Sequence, residues 1–235
     1  MRELKFGAKS SKTLLFLFII GEIILFPCIQ LTPVDVSIFS SYLSIVVVFL
    51  FALFVPRCRG AEHFIRLGLL FTLVADYFLV ICDDAQLEGV IFFIPVQLAY
   101  FIYLLAREER GYVRCANTVT RIAVSAVLIA AAFAVLGEDV DTLAIASVIY
   151  YGNLVVNIIF AFILGRVECI FAIGLVLFAM CDLCIGLEVL FRSYLNIDVS
   201  GLFYGANLNL PWVFYQPSQV LIALSLYFKK KRNVK

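Results

Sequence analysis

The chain has 235 residues, of which 64% are hydrophobic and 15% charged, and its formal net charge is +1 at pH 7. This composition excludes an ordinary water-soluble enzyme, and the near-zero net charge gives no electrostatic footprint for nucleic acid. Because lipid offers no partner for backbone N–H and C=O groups, each membrane-crossing segment must be a helix. We therefore predict an all-α integral membrane protein, with residues 1–235 forming a single polytopic transmembrane domain.

Eight apolar segments are long enough to cross about 30 Å of hydrocarbon. The residues after the first segment lack a small-residue cleavage site, so we interpret that segment as an uncleaved anchor rather than a signal peptide. The eight predicted spans run from Thr13 to Gln30, Ile38 to Val55, Phe64 to Cys82, Gly89 to Ala106, Arg121 to Leu136, Leu143 to Leu164, Cys169 to Phe191, and Trp212 to Phe228.

The cations are distributed very unevenly across these spans. Of the 18 Lys and Arg residues, 17 fall on one side and only Arg192 falls on the other. The positive-inside rule then predicts that the N- and C-termini are both cytoplasmic. An even number of spans agrees with two termini on the same side. We expect a multi-pass protein of the cell (plasma) membrane.

Two aspartates lie inside apolar segments in matching frames. Asp76 and Asp182 each follow the glycine of a Gly-Leu pair by eight residues, from Gly68 in one case and Gly174 in the other. A carboxylate at mid-bilayer costs about 2.5 to 3.5 kcal/mol on insertion scales, and such acids mark functional sites. The repeated frame fits an internal repeat of two four-helix halves, and neighbouring helices would bring both carboxyls into one pocket.

Further polar residues fall at membrane depth and are candidates for the same pocket. For each one alone, an interhelical hydrogen bond is the competing interpretation. Glu22 in particular is either a proton partner of the aspartates or a helix-packing group. The candidate supporting or substrate-binding residues are Gln97, Tyr100, Tyr150, Asn157, Tyr215, Gln219 and Glu22.

Several chemistries have no residues to support them in this sequence. The single histidine, His63, precedes the third span, which leaves no His-rich zinc site. There is no Gly-rich phosphate loop and no G-x-S-x-G nucleophile elbow. Cys181 and Cys184 form a C-x-x-C on a helix, where two small packing residues are the expected interpretation. We expect no metal and no cofactor.

The layout of eight spans and the two acids resembles the YhhN-like lysoplasmalogenase family of membrane hydrolases. The span-seven frame that carries this resemblance is Gly174, Phe178 and Asp182. Supporting matches are Asp76-Tyr77-Phe78-Leu79, then Gly89, Phe92-Phe93, Gln97 and Tyr100 in span four, and Tyr215 with Ser218-Gln219-Val220-Leu221-Ile222 in span eight.

Four positions depart from the pattern of that family. The usual Gly-Asp of span three is Ala75-Asp76, and the Ser-Asp of span seven is Cys181-Asp182. Gln97 stands where a histidine is frequent in span four. Val189 stands where a basic residue is expected shortly after the span-seven acid.

The resemblance implies hydrolysis of the vinyl ether bond of lysoplasmalogens, which gives a fatty aldehyde and a glycerophospho-alcohol. A membrane lipid of lysophospholipid type would be the substrate, and Asp76 and Asp182 would be the acid/base pair. The chemistry suits two carboxyls: a vinyl ether is cleaved by protonating its outer alkene carbon, which generates an oxocarbenium ion. The second, ionised carboxylate would stabilise that cation, as in glycoside hydrolysis.

Two other classes of function use the same residues. A proton- or ion-coupled small-molecule transporter also has internal repeats and mid-membrane acids, and a scaffold would use the acids only for helix packing. No span contains paired Gly or Pro at mid-depth, which favours the hydrolase over a carrier. Release of aldehyde from a lysoplasmalogen would separate the three.

Overall fold

A computed structural model describes residues 2–55, 60–82, 85–194, 197–205 and 208–228, without the side chains of residues 2–10, 139, 167 and 193–194. Arg57, Arg59 and the basic residues of 229–235, which contribute to the predicted cation asymmetry, lie outside these residues. The α-helices are α1 (Arg2–Leu31), α2 (Val34–Phe54), α3 (Glu62–Asp76), α4 (Gln86–Arg107), α5 (Gly111–Leu136), α6 (Thr142–Ile163), α7 (Cys169–Val189), the short α8 (Ser200–Phe203) and α9 (Leu210–Phe228), and the two-residue strands β1 (Tyr204–Gly205) and β2 (Leu208–Asn209) form an antiparallel pair.

The predicted class, a multi-pass all-α membrane protein, is confirmed. Among the described residues, seven helices are long and apolar enough to cross a membrane, and they correspond to the first seven predicted spans. The last long helix, α9, has 19 residues but a more polar composition. Its polar side chains face inward, since Gln216 is 2% and Gln219 0% exposed. The polar face of this helix is therefore turned toward the protein interior rather than toward water.

The predicted start of the fifth span at Arg121 is wrong. Helix α5 begins at Gly111, which places Arg121 ten residues, or about 15 Å, inside the helix. The guanidinium donates to the side-chain oxygens of Asn153 at 2.6 Å and Asn157 at 2.8 Å. These amide oxygens replace water around the charge, which allows the arginine to lie well inside the helix.

The two ends of the bundle differ in charge, and we call them the basic end and the acidic end. At the basic end, α4 finishes at Arg107, which pairs with Glu168 before α7 at 3.1 Å. At the same end, Arg66 of α3 donates to the carbonyl oxygens of Ala52 (2.8 Å) and Val55 (2.6 Å), which the end of α2 leaves unpaired. The acidic end is the opposite one, where α5 leads through the turn Gly137–Asp139 into α6.

The helix packing follows the pattern that two related four-helix halves would give. In the first half, α1 to α4 pack in sequential order, and in the second half α5, α6, α7 and α9 do the same. The fourth helix of each half packs against the second helix of the other, α4 on α6 and α9 on α2. Asp76 and Asp182 lie on the third helix of their respective halves.

A short sequence frame repeats on the fourth helix of each half. Phe92-Phe93-Ile94-Pro95-Val96-Gln97 on α4 corresponds to Phe214-Tyr215-Gln216-Pro217-Ser218-Gln219 on α9. Both prolines lie inside their helices. Each proline removes one backbone hydrogen bond from its helix. A glutamine follows two residues later in both cases. In this correspondence Tyr215 matches Phe93, and Gln219 matches Gln97.

The third helix of each half ends in a π-helical turn. Tyr77–Ile81 follows directly after Asp76, and Leu190–Tyr194 follows α7. The Cys82 N–H bonds to the Tyr77 carbonyl oxygen at 3.1 Å, five residues earlier. π-helical turns are rare and are frequently found at functional sites.

Candidate active site

Asp76 is buried at the end of α3, with 2% of its surface exposed. The Tyr215 hydroxyl, from α9, donates to Asp76 Oδ2 at 2.6 Å. Tyr215 is itself 5% exposed. A hydrogen bond to a buried carboxyl is stronger than one between neutral groups in water, so this contact fixes the orientation of the acid.

Asp182 has a matching partner from a different helix. The Tyr150 hydroxyl, from α6, donates to Asp182 Oδ2 at 2.5 Å. Asp182 is half-buried, whereas Asp76 is fully buried. The two acids therefore have the same kind of hydrogen-bond partner but different access to solvent.

The two carboxyl groups are connected through a series of hydrogen bonds and aromatic contacts. Helix α9 packs against both α3 and α7, so that Tyr215 reaches Asp76 while its ring lies 5.4 Å from the ring of Phe178 on α7. The Phe178 ring is also 6.3 Å from that of Tyr150. Asp76, Tyr215, Phe178, Tyr150 and Asp182 are thus connected in that order, and we name them the carboxyl pair site.

A cavity of about 460 Å³ opens at the acidic end of the bundle. Its lining includes Glu188 and Arg192 from the end of α7, which form an ion pair at 3.1 Å. Tyr204 also lines it. Partial burial raises the pKa of Tyr204 to about 12, so its hydroxyl remains a donor at neutral pH. The cavity thus lies at the acidic end, and Glu188, the lining residue closest to Asp182 in the sequence, follows it by six residues.

The other predicted site residues form two further groups. The Asn157 side-chain amide donates to the backbone and side-chain oxygens of Gln97, at 3.0 and 2.9 Å. Tyr100, on the same helix as Gln97, is fully buried. Glu22 is separate from the carboxyl pair and accepts from Ser44 at 2.6 Å. Its second partner, Gln216, donates at 2.7 Å from the residue next to Tyr215.

The carboxyl pair site has the elements of acid–base chemistry on a cationic intermediate. A protonated carboxyl can donate a proton, and an ionised one beside it can stabilise positive charge. The face of an aromatic ring such as Phe178 attracts a cation as well. The buried position of Asp76 excludes bulk water, which strengthens each of these interactions.

Comparison with protein families identifies the chain from its sequence. Residues 36–226 match the model of the YhhN family. The chain belongs to the YhhN family. The matched segment extends from α2 into α9 and contains both aspartates and both tyrosine partners. Searches of curated proteins and of solved structures gave no match.

The departures from the family pattern that the sequence showed have a structural context. Ala75 and Cys181, which precede the two acids, are buried. Gln97, in place of the frequent histidine, is bonded to Asn157 rather than to either carboxyl. Val189, in place of a basic residue, lines the cavity at the acidic end together with Arg192. Arg192, three residues after Val189, therefore places a cation in this region.

Residues beyond those predicted also contribute to these groups. The sequence reasoning did not select Thr72, Ser44 or Gln216 as site residues, although each is buried and polar at membrane depth. The repeated frame that ends at Gln97 and Gln219 is a sequence signal by which α9 could have been related to α4. Arg121 was missed because it was predicted to lie at the start of the fifth span.

We expect the two tyrosine hydroxyls to be needed for turnover. Tyr215→Phe and Tyr150→Phe each remove a hydrogen bond to a carboxyl, a loss of about 1 to 3 kcal/mol, or roughly 5- to 160-fold in rate. The larger effect is expected for Tyr215→Phe, because water can replace Tyr150 at the half-buried Asp182 more readily than it can reach Asp76. Turnover of purified variants measures both effects.

Tyr103→Phe is the matched control for these two variants. Tyr103 is a buried tyrosine that donates to the buried carboxylate of Glu168, but at the basic end. We expect this variant to lower the melting temperature with little effect on turnover per folded molecule. An equal loss of turnover in all three variants would show that the tyrosines act through stability alone.

Proposed function

We propose that the protein is a membrane hydrolase that cleaves the vinyl ether bond of lysoplasmalogens to a fatty aldehyde and a glycerophospho-alcohol. The observation that carries this proposal is the carboxyl pair site inside a chain of the YhhN family. The proposal makes the protein an enzyme of ether lipid metabolism, with a lysophospholipid-like membrane lipid as its substrate.

The reaction begins with transfer of a proton from a neutral aspartic acid to the outer alkene carbon of the vinyl ether. This step produces an oxocarbenium ion, which the other, ionised aspartate and the Phe178 ring stabilise. Water adds to the cationic carbon and gives up a proton to a carboxylate. The resulting hemiacetal collapses to the aldehyde and the free alcohol, which returns the pair to its starting protonation state. The two acids titrate as one unit.

The cavity at the acidic end suits the headgroup of such a lipid. Its volume, about 460 Å³, is in the range of small-molecule sites. Arg192 can pair with the phosphate, and the carboxylates of Glu188 and Asp141 can pair with a headgroup amine. Asp182 lies six residues before Glu188, about 9 Å along the helix. The glycerol backbone spans a comparable distance between the phosphate and the vinyl ether.

The proposed membrane arrangement has eight spans, with both termini in the cytoplasm of a cell and the protein in its plasma membrane. The cation asymmetry supports this orientation. The eighth span is α9, whose 19 residues suffice for a crossing and whose polar side chains are buried against the other helices. The acidic end, with its cavity, would then face outward.

Cysteine labelling at the two ends of α5 tests the orientation. Tyr112 and Glu138 lie at opposite ends of this helix, and both are exposed. In a background without native cysteines, we expect Glu138→Cys in intact cells to react with a membrane-impermeant maleimide. Tyr112→Cys should react only after the membrane is permeabilised. The reverse pattern would invert the orientation and place the cavity on the cytoplasmic side.

The proposed activity is tested with purified protein in detergent or nanodiscs. We expect release of free aldehyde from a lysoplasmalogen, and no reaction with the matching lysophospholipid that has a saturated ether in place of the vinyl ether. Absence of aldehyde contradicts the proposal. In that case, a proton-dependent solute flux into proteoliposomes that Asp76→Asn abolishes would establish the transporter alternative.

A further inference from the structure

Four buried polar atoms on α3, α4 and α9 have no hydrogen-bond partner outside their own group among the described residues. They are Thr72 Oγ1, Gln97 Nε2, Tyr100 Oη and Gln219 Oε1. None of these four residues is more than 1% exposed. Buried polar groups are almost always fully paired, with protein or with ordered water, so a group of four atoms without outside partners needs an explanation.

Helix packing places the four side chains at one level, about one helical turn from Asp76 toward the basic end. A Cβ atom on Gly68 would lie 2.3 Å from Tyr100 Cε1, and one on Gly89 would lie 2.4 Å from Leu79 Cγ. These two contacts fix an antiparallel register between α3 and α4 that sets Thr72 level with Gln97. The Thr72 and Tyr100 hydroxyls are close enough to hydrogen-bond to one another, which uses one of their two protons.

Gln219 reaches the same level from α9. It lies four residues after Tyr215, and side chains four residues apart share a face of a helix. Tyr215 uses this face to contact Asp76 on α3. Because α9 runs antiparallel to α3, the step from Tyr215 to Gln219 goes in the same direction as the step from Asp76 to Thr72.

The orientation of the Gln97 amide follows from Arg121. A guanidinium has only donors, so the Asn157 oxygen must face Arg121 Nη2, at 2.8 Å. The Asn157 nitrogen then faces Gln97, whose Oε1 accepts at 2.9 Å. The Gln97 NH₂ group is therefore the one left free, and it offers a donor.

The orientation of the Gln219 amide follows from Ser218. The Ser218 hydroxyl donates to the Tyr215 carbonyl oxygen at 2.7 Å, which uses its only proton. The Ser218 oxygen must then accept from Gln219 Nε2, at 3.3 Å. Gln219 Oε1 is left free and offers an acceptor. The four atoms thus comprise one donor, one acceptor and two hydroxyls, each of which can act as either.

We propose that Thr72, Gln97, Tyr100 and Gln219 bind ordered water inside the membrane-spanning bundle, and that this site, the inner water site, supplies the water consumed in the reaction. A water molecule needs two to four polar partners of both kinds, which this set provides. The enclosure of all four side chains excludes a larger or charged ligand. The role of the water rests on the proposed function, whereas its binding does not.

The stoichiometry of vinyl ether hydrolysis requires one water molecule for each bond cleaved. The alkene carbon gains a proton from one aspartic acid, and the oxygen of water forms a bond to the oxocarbenium carbon. One proton of that water passes to a carboxylate, which regenerates the neutral acid and leaves a hemiacetal. The hemiacetal hydroxyl then gives up its proton to the ionised carboxylate as the carbonyl forms, the carbon–oxygen bond to the glycerol breaks, and the glycerol oxygen takes up a proton from the neutral acid. One water molecule is consumed for each aldehyde and alcohol formed. Delivery from within the protein allows the lipid chain to cover Asp76 without blocking access of the nucleophile.

Radiolytic hydroxyl footprinting of the substrate-free protein tests the binding of water. Hydroxyl radicals formed from bound water modify side chains that touch it even when those side chains are buried. We expect Tyr100 to be modified several-fold faster than Tyr103, which is equally buried on the same helix but donates to Glu168. Equal, slow modification of both tyrosines would overturn the inner water site.

Two variants connect the site to the reaction. Thr72→Val and Gln219→Leu each remove a polar partner with little change in volume, and both should slow modification of Tyr100 and lower kcat with little change in KM. Ser225→Ala on α9 is the control, because the Ser225 hydroxyl bonds only to the Ile222 carbonyl oxygen of its own helix. Unchanged kcat in folded Gln219→Leu would overturn the role of the water as reactant. Fast modification of Tyr100 in a protein that releases no aldehyde would support the water site and reject the hydrolase proposal alone.

Discussion

Asp76→Asn and Asp182→Asn are each expected to lower aldehyde release at least about 100-fold, within the usual range for loss of a general acid or base. Asparagine keeps the size of the side chain but can neither donate the proton nor stabilise the cation as an anion. Folding should persist, because a neutral amide is easier to bury than a carboxylate and its oxygen can still accept from Tyr215 or Tyr150. Aldehyde release by monodisperse protein at equal concentration measures the effect.

The double variant and Glu22→Gln complete this experiment. Groups that act as one unit are not additive, so the double variant should be little slower than either single one. Glu22→Gln removes a third buried acid, which is bonded to Ser44 and Gln216 and not to the carboxyl pair, and should retain turnover. Near-normal rates in either Asn variant together with an inactive Glu22→Gln would mean that the acids have been assigned the wrong roles.

The fold class was predictable because the membrane constrains it so strongly. Long apolar segments must form helices in lipid, and the seven helices that meet this criterion among the described residues correspond to predicted spans. The boundary of α5 was predicted incorrectly because Arg121 was treated as a residue exposed to water. Its amide partners, Asn153 and Asn157, lie on α6, more than 30 positions later. No local pattern around Arg121 reports such a contact.

The candidate acids and the tyrosines that contact them were recognisable from the sequence, but the pairing was not. Asp76, Asp182, Tyr150 and Tyr215 all stand out as polar residues in apolar segments. That Tyr215 contacts Asp76 while Tyr150 contacts Asp182 depends on which helices are neighbours. In the repeated frame, Phe93 corresponds to Tyr215 and lacks a hydroxyl. The second aspartate therefore takes its hydroxyl partner from a different helix of its own half.

The π-helical turns were not predicted from the sequence. The turn at Tyr77–Ile81 contains neither glycine nor proline, the residues on which predictions of helix irregularity depend. The turn ends α-helical hydrogen bonding directly after Asp76. Leu79 in this turn packs against Gly89 of α4, where even a methyl group would clash, so its position is constrained by another helix. A pattern search along one segment cannot detect a constraint imposed by another.

The glycines of the two matched frames acquire a shared meaning in the structure. Each lies where a neighbouring helix comes closest, Gly68 against the Tyr100 ring and Gly174 against Ile222 and Ser218 of α9. The first contact is with a side chain and the second includes backbone atoms. Small residues at such positions allow close helix packing in membranes. Each frame therefore contains both an acid and the glycine whose helix contact helps to position that acid.

Gly174→Leu is expected to destabilise the protein strongly. A Cβ atom at this position would lie 2.8 Å from Ile222 Cγ1 and 3.1 Å from both the Ile222 nitrogen and the Ser218 carbonyl oxygen. Backbone atoms cannot rotate aside, so α7 and α9 must separate. Overpacking of this kind costs about 1 to 3 kcal/mol or more, which corresponds to a fall in melting temperature of roughly 5 °C or more. Separation would also move Phe178 away from Tyr215 and reduce turnover.

Gly186→Leu makes the same chemical change on the same helix and serves as the control. A Cβ atom on Gly186 would have nothing within 4 Å. Both substitutions replace glycine with a better helix former, so the gain in helix propensity is the same and cancels in the comparison. Thermal unfolding of the two variants, followed by fluorescence in matched detergent, then isolates the contact between α7 and α9. Equal melting temperatures would show that these helices are not in backbone contact at Gly174, and the link from Asp182 through Phe178 to Tyr215 would have to be abandoned.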